Sequence, residues 1–322
     1  MENGQGNAMA EEGRVCANYA KAIKQSSVET KKKFLLKSET VELFTRMPKG
    51  VGLILRDSFL SGNSLKDVLD GDSVIDYFQQ ESAIIPALTE NPGTFTMLEK
   101  MYHFEDVSFP ADCYFSKSIP GGQALRQRYD NVNEKSIEII KGFLQEQGSC
   151  LMIDIGSGPG RNGIEICLKN PEFRQSLKID NIDIDILALA LGRDIAARHK
   201  LDNIEFVNES MSTLRKRYPK NVDVGLLIGI LCGLQHRERV ILLKVLKRYF
   251  RPGGKIIAAG LTDNMLSADL FCSYVLYETA GWVLQYQPVG QVKVALQEAG
   301  WQYADSFQES YYGLYEIGIG VA

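Results

Sequence analysis

The sequence predicts an α/β protein: a doubly wound, mostly parallel seven-stranded sheet with an antiparallel last strand, preceded by a helical N-terminal domain. Three observations carry this. Residues 14–147 place apolar side chains at three-to-four spacing with few β-rich runs between them. After Gly148 short apolar runs alternate with helical stretches, the pattern of βα units feeding a parallel sheet. The chain finishes with WQYADSFQE at 301–309 and GLYEIGIGVA at 313–322, β-like runs too close together for a crossover, so they pair as an antiparallel hairpin.

Taken in order, residues 1–12 read as a flexible tail, 13–122 as a helical cap or dimerisation domain with its linker, and 123–322 as the α/β domain. Ser26, Pro48-Lys49-Gly50 and Asn91-Pro92 break the N-terminal helices. Pro110, Pro120, Gly121 and Gly122 then punctuate an aromatic stretch holding Phe109, Tyr114 and Phe115, which reads as a linker or lid. A helix over 123–147 carries Leu125, Tyr129, Val132, Ile137, Ile140 and Leu144 towards a core. Strands are predicted at 150–156, 178–185, 204–210, 222–230 and 255–261, with helices at 160–170, 186–200, 237–250 and 289–299.

Composition narrows the function classes. Thirty-six basic against 40 acidic residues give a net charge of -4, which argues against a protein whose main task is gripping phosphate backbones, so no nucleic-acid partner is expected. The strongest apolar run, Val222 to Leu234, is 13 residues long and contains Asp223, too short for a membrane span of about 20 residues. No membrane association is therefore expected. The 6 cysteines show no spacing that resembles a zinc site or a redox pair, so no metal and no disulfide is called for, and the expected setting is cytoplasmic.

The chemistry concentrates in LMIDIGSGPGRNGIEI at 151–166. An apolar strand ends in Asp154 and runs through Gly156, Ser157, Gly158 and Gly160 into an amphipathic helix. Such a turn bends tightly and leaves backbone open to a ligand, and the helix that follows presents unpaired N–H groups to it. Gly158, Gly160 and Gly163 also spell GxGxxG, with Asp183 20 residues further on, as a dinucleotide fingerprint requires. Asp154 ahead of the first glycine, the FRPGGK turn at 250–255 and the closing hairpin point away from a nicotinamide cofactor.

Together these features resemble the class I S-adenosylmethionine-dependent methyltransferases, over roughly residues 150–322. The resemblance implies a Rossmann-like sheet and S-adenosyl-L-methionine as cofactor. It places the turn from Asp154 through Gly156, Ser157, Gly158 and Gly160 around the methionine moiety, Asp183 on the ribose hydroxyls and Ile184 against the adenine. Glu209, Ser210 and Met211 after the third strand are implied at the adenine edge, and Ile228 and Gly229 near the transferable methyl. Related enzymes often cover the cofactor with the region before the first strand, which brings in Tyr114 and Arg128, the latter as a clamp on its carboxylate. No Pro-Pro-aromatic signature of amine methylation and no Pro-Cys pair follows the fourth strand; Cys232 reads as a small buried residue.

Methyl transfer needs alignment and desolvation more than a base, but an oxygen acceptor must lose its proton. His236, opening the helix after the fourth strand, and His103, beside the aromatic linker, are the candidate bases; His199 reads as a solvated helix-terminal cation. Tyr274, Tyr277 and Trp282 either wall an apolar substrate pocket or pack against the N-terminal helices. The expected function is methyl transfer to a small molecule, at oxygen first and at nitrogen or carbon next, with a homodimer through the N-terminal helices. Transfer to RNA or protein, non-catalytic cofactor binding and nicotinamide-dependent oxidoreduction are the alternatives.

Overall fold

A computed structural model describes residues 21–90, 95–102, 109–210, 213–214 and 217–322; the expected tail, His103 and Met211 lie outside them. The chain divides into two compact units, one of residues 1–126 and 263–286, the other of 127–262 and 287–322. The sequence boundary expected near 122 thus falls at 126, inside a helix. Residues 263–286, expected within the α/β domain, belong with the N-terminal helices.

The first unit is helical: α1 (Val28–Leu35), α2 (Ser38–Arg46), α3 (Lys49–Ser61), α4 (Asp72–Gln80), α5 (Ile84–Glu90) and α6 (Phe95–Tyr102). Ser27 caps α1 by accepting from the Thr30 N–H, and Gly62, in the left-handed region, stops α3. The long α7 (Pro120–Gln147) starts three residues earlier than expected because Pro120 suits a first helical turn, where its missing N–H costs nothing. The returning segment supplies a later helix, Leu270–Ala280, whose residues are apolar on nearly every side and almost all buried. A helix of that kind must sit inside a core. Phe271 meets Phe59 edge-on at 5.0 Å and Phe44 at 5.8 Å, and Tyr274 meets Phe59 at 5.4 Å. Its polar groups are tied to the same helices: the Tyr274 hydroxyl donates to the Asn63 carbonyl at 2.8 Å, and Glu278 accepts from Ser64 Oγ and the Leu65 N–H. Tyr274 is therefore a core residue, which decides between its two expected roles.

The second unit is built on β1 (Cys150–Ile155), β2 (Leu177–Asp183), β3 (Ile204–Asn208), β4 (Val222–Leu227), β5 (Phe250–Leu261), β6 (Gln302–Gln308) and β7 (Tyr315–Val321). Their order in the sheet is β3-β2-β1-β4-β5-β7-β6, the first five parallel and β7 antiparallel to both neighbours. Helices α8 (Arg161–Lys169), α9 (Ile186–Arg198), α10 (His236–Leu246), α11 (Leu270–Ala280, in the first unit) and α12 (Gln291–Glu298) follow in chain order. One face of the sheet packs Val132, Ile140 and Phe143 of α7 with Ile164, Ile166 and Leu189; the other packs Leu243, Leu246, Val292, Leu296 and Trp301. Both faces are covered, which is why the strands read as continuous apolar runs. β4 ends at Leu227, short of the expected 230, because Gly229 turns into the left-handed region. β5 begins at Phe250 and absorbs the expected FRPGGK turn as a register shift against Val222 and Val224.

Replacing Phe271 by alanine removes a ring from the centre of the helical unit and leaves a cavity between Phe44 and Phe59. The expected loss is about 3–5 kcal/mol, read as an earlier first transition in urea denaturation followed by aromatic fluorescence.

Candidate active site

The turn after β1 is held by main-chain bonds to β2. The N–H groups of Gly156 and Ser157 both donate to the Ile182 carbonyl, at 2.8 and 3.2 Å. Gly156, Gly158 and Gly160 have φ of +66°, +55° and +70°, a run of left-handed residues that side chains resist, and Gly160 then opens α8. Asp183, at the end of β2, accepts from the Gly158 N–H at 2.7 Å with one oxygen and from the Asp185 N–H at 2.9 Å with the other. Asp185 caps α9 through the Leu187 and Ala188 N–H groups. Asn208, ending β3, donates to the carbonyls of Asp183 and Ile184 at 3.2 and 3.0 Å and fixes the next turn.

Two contacts pack the turn from below. The buried Asn181 carboxamide fills the space a side chain at Gly160 would take, and α9 approaches so closely at Gly192 that a Cβ there would stand 2.4 Å from the Pro159 carbonyl oxygen. Across the sheet, the exit of β4 reaches the same turn: Ile230 Cδ1 lies where a Cβ on Gly156 would meet it at 2.4 Å. The Cys232 thiol donates to the Gly229 carbonyl at 3.0 Å and closes that loop. The carboxyl ends of β2, β1 and β4 thereby meet around one turn, at the point where the chain reverses its direction of travel across the sheet, the place where open α/β sheets generally carry their ligand crevice.

Most of the expected site residues gather here. Asp154, Gly156, Ser157, Gly158, Gly160, Asp183, Ile228 and Gly229 belong to these strand ends, and Ile184, 77% exposed, offers an unpartnered apolar face beside Asp183. Glu209 and Ser210 follow β3, with Glu209 accepting from the Thr213 hydroxyl at 3.3 Å. Arg128 is buried on α7 with its guanidinium 4.6 Å above the Tyr315 ring. Tyr114 lies in the helical unit, buried against Phe115 and Phe271. His236 opens α10, where its Nε2 lies 3.0 Å from Glu298 of α12, so its ring already has a partner on the neighbouring helix. Asn181, Asn208 and Gly192 were not singled out by sequence. A carboxamide at an inward position of a buried strand is the one signal that marked Asn181.

Asp154 is 3% exposed, and burial together with the nearby Asp183 charge pushes its carboxyl up to about 7. A raised value means that the folded protein holds the proton more tightly than the unfolded chain. The group's contribution is therefore most favourable at low pH and is lost as pH rises from about 4 towards 7. Asp154→Asn, which does not titrate, is expected to melt above the ligand-free parent at pH 8, by an amount on the order of a few kcal/mol, with the gap closing near pH 4. Paired melting curves at the two pH values check this.

No curated protein matches the chain. Residues 146–281 match the family described as a methyltransferase domain. Among solved structures, a possible exported protein from Bordetella parapertussis aligns at a TM-score of 0.60 and 13% identity, over 92% of this chain and 97% of that one. Magnesium protoporphyrin IX methyltransferase (ChlM) from Synechocystis PCC 6803, with bound SAH, aligns at 0.51 and 14% identity, over 78% of this chain and 98% of its own. The stretch 146–281, which holds the glycine turn and β1 to β5, thus matches a methyltransferase domain.

Proposed function

We propose that the protein methylates a small-molecule acceptor, at oxygen first, in the crevice at the carboxyl ends of β2, β1 and β4. The observation that carries this is the meeting of three parts around Gly156: the left-handed glycine turn, the Asp183 carboxylate that binds the Gly158 N–H, and Ile230 from the β4 exit. The acidic balance of the chain and the absence of an amine-methylation signature after β4 support a small oxygen acceptor over a nucleic acid. The cysteine spacing, which resembles neither a zinc site nor a redox pair, supports a reducing, cytoplasmic setting.

The residues present fit the cofactor. The glycine turn leaves main chain without Cβ atoms along the crevice, Asp183 supplies a carboxylate for vicinal hydroxyls, and Ile184 supplies an exposed apolar surface for a flat base. When bound, S-adenosylmethionine supplies an electrophilic methyl group on a sulfonium, open to in-line displacement by an acceptor lone pair. The chain's own part is to hold that line. Asp183 would accept from the ribose hydroxyls while it pins the Gly158 N–H, so cofactor position and turn geometry would depend on one side chain. Ile228 and Ile230, half-buried at the β4 exit, narrow the crevice and keep water from the reacting atoms.

Thermal melting with S-adenosylhomocysteine, S-adenosylmethionine and NADH tests the cofactor. A ligand at about 100 times its Kd adds about 2.7 kcal/mol to stability, several degrees of shift, and only the two adenosyl-sulfur ligands are expected to produce it. Stabilisation by NADH alone would overturn the assignment. Asp183→Ala is expected to weaken S-adenosylhomocysteine binding at least tenfold by calorimetry, at about 1.4 kcal/mol per decade, while far-ultraviolet circular dichroism stays unchanged.

A further inference from the structure

A cavity of about 670 Å³ opens at the amino ends of β1, β2 and β4, among residues of the second unit alone. At about 3.3 Å per residue, the six residues of β1 put it about 20 Å from the glycine turn at the carboxyl ends. Its volume falls within the range of small-molecule sites, about 300–1,000 Å³.

The acids around this cavity are already matched. Asp180, 1% exposed, accepts from the Tyr218 hydroxyl at 2.7 Å and has Lys178 at 3.5 Å and Arg217 at 3.7 Å. Arg217 also pairs with Glu205, and Lys178 lies 3.3 Å from that carboxylate. Asp223 pairs with Arg251 at 2.5 Å and accepts from the Gln147 amide and the Leu151 N–H at 3.0 and 2.7 Å. Lys178, Arg217 and Arg251 therefore balance Asp180, Glu205 and Asp223, and the wall has one charge left over, Arg174.

Arg174 lies in the helical turn Pro171–Gln175 that leads into β2. Among the described residues its side chain makes no hydrogen bond and no ion pair. Its Nε is sealed from solvent without an acceptor, whereas its two terminal nitrogens remain accessible. A dry donor without a partner costs stability, which an ordinary surface arginine avoids by swinging into water. Here the guanidinium is held with its outer edge free, the arrangement that meets two anionic oxygens side by side. Lys178, with a side chain 58% exposed, is a second cation on the same wall. It is free to turn towards an incoming anion, because Arg217 touches both of its acids and keeps them matched.

We propose that this cavity binds a phosphate monoester of a hydroxyl-rich molecule, with Arg174 taking two phosphate oxygens and Lys178 supplying the second positive charge. A phosphate monoester carries about -1.5 to -2 charges at pH 7, which one fixed and one movable cation match, whereas a carboxylate uses only one of them. Gln175, Asn203 and Asn221 complete the lining, and their amides suit the hydroxyls of the ligand body. The site is independent of the methyltransferase reading, since no residue of the glycine turn takes part.

The test is calorimetric titration of the full chain with glucose 6-phosphate, ribose 5-phosphate, glycerol 3-phosphate and uridine 5′-monophosphate, each beside its dephosphorylated form and inorganic phosphate. At least one ester is expected to bind with a Kd below about 1 mM, and about tenfold more tightly than both its dephosphorylated form and inorganic phosphate. Arg174→Gln is expected to weaken that ester about tenfold, Arg174→Lys and Lys178→Gln less, and Asp183→Ala, at the far end of β2, not at all. The proposal fails if no ester reaches that margin, or if the best ester binds Arg174→Gln as tightly as the parent. A loss in Asp183→Ala equal to that in Arg174→Gln moves the ligand to the carboxyl ends of the strands and overturns it as well.

Discussion

The bonds from the Gly156 and Ser157 N–H groups to the Ile182 carbonyl are the constraint on which the site depends. They extend the parallel register of β1 and β2, which pairs Asp154 with Asn181, for one step beyond the strand and fix where the glycine turn begins. Given that start, Gly158 falls within reach of Asp183 and Gly160 falls over Asn181. A shift of one residue in this pairing would send each strand's side chains to the opposite face and separate the turn from its carboxylate. The site is thus a consequence of strand register as much as of the glycines.

The same logic explains why so much of the second unit was legible in the sequence. Parallel strands covered on both faces give unbroken apolar runs, and each helix start carries its own local signal: Asp185 caps α9, and Gln235 with Glu238 forms a capping box on α10. Strand ends were less legible, because β4 stops where Gly229 changes hand and β5 starts through a Pro-Gly-Gly segment that looks like a turn. Neither depends on hydrophobic period. The affiliation of residues 263–286 was not legible either: the aromatic pattern of α11 says that it is buried, and period alone does not say against which partner.

Within the site, the residues read from sequence are those whose type is dictated by a local turn or a strand end. Those missed act through packing or long-range bonds. Asn208 is one polar residue among many until its amide is seen on the Asp183 and Ile184 carbonyls. Tyr114, which the resemblance implied near the cofactor, has its ring in an aromatic cluster of the helical unit.

The return of residues 263–286 to the helical unit also orders events during synthesis. Phe271 and Tyr274, which complete the packing around Phe59, emerge from the ribosome about 210 residues after Phe59 itself. At about 5–20 residues per second, the Phe59 ring waits roughly 10–40 s for these partners. The α/β unit also waits for β6 and β7, which follow the inserted segment, so neither unit closes before the other is nearly made. Truncation anywhere before the insertion leaves both units incomplete.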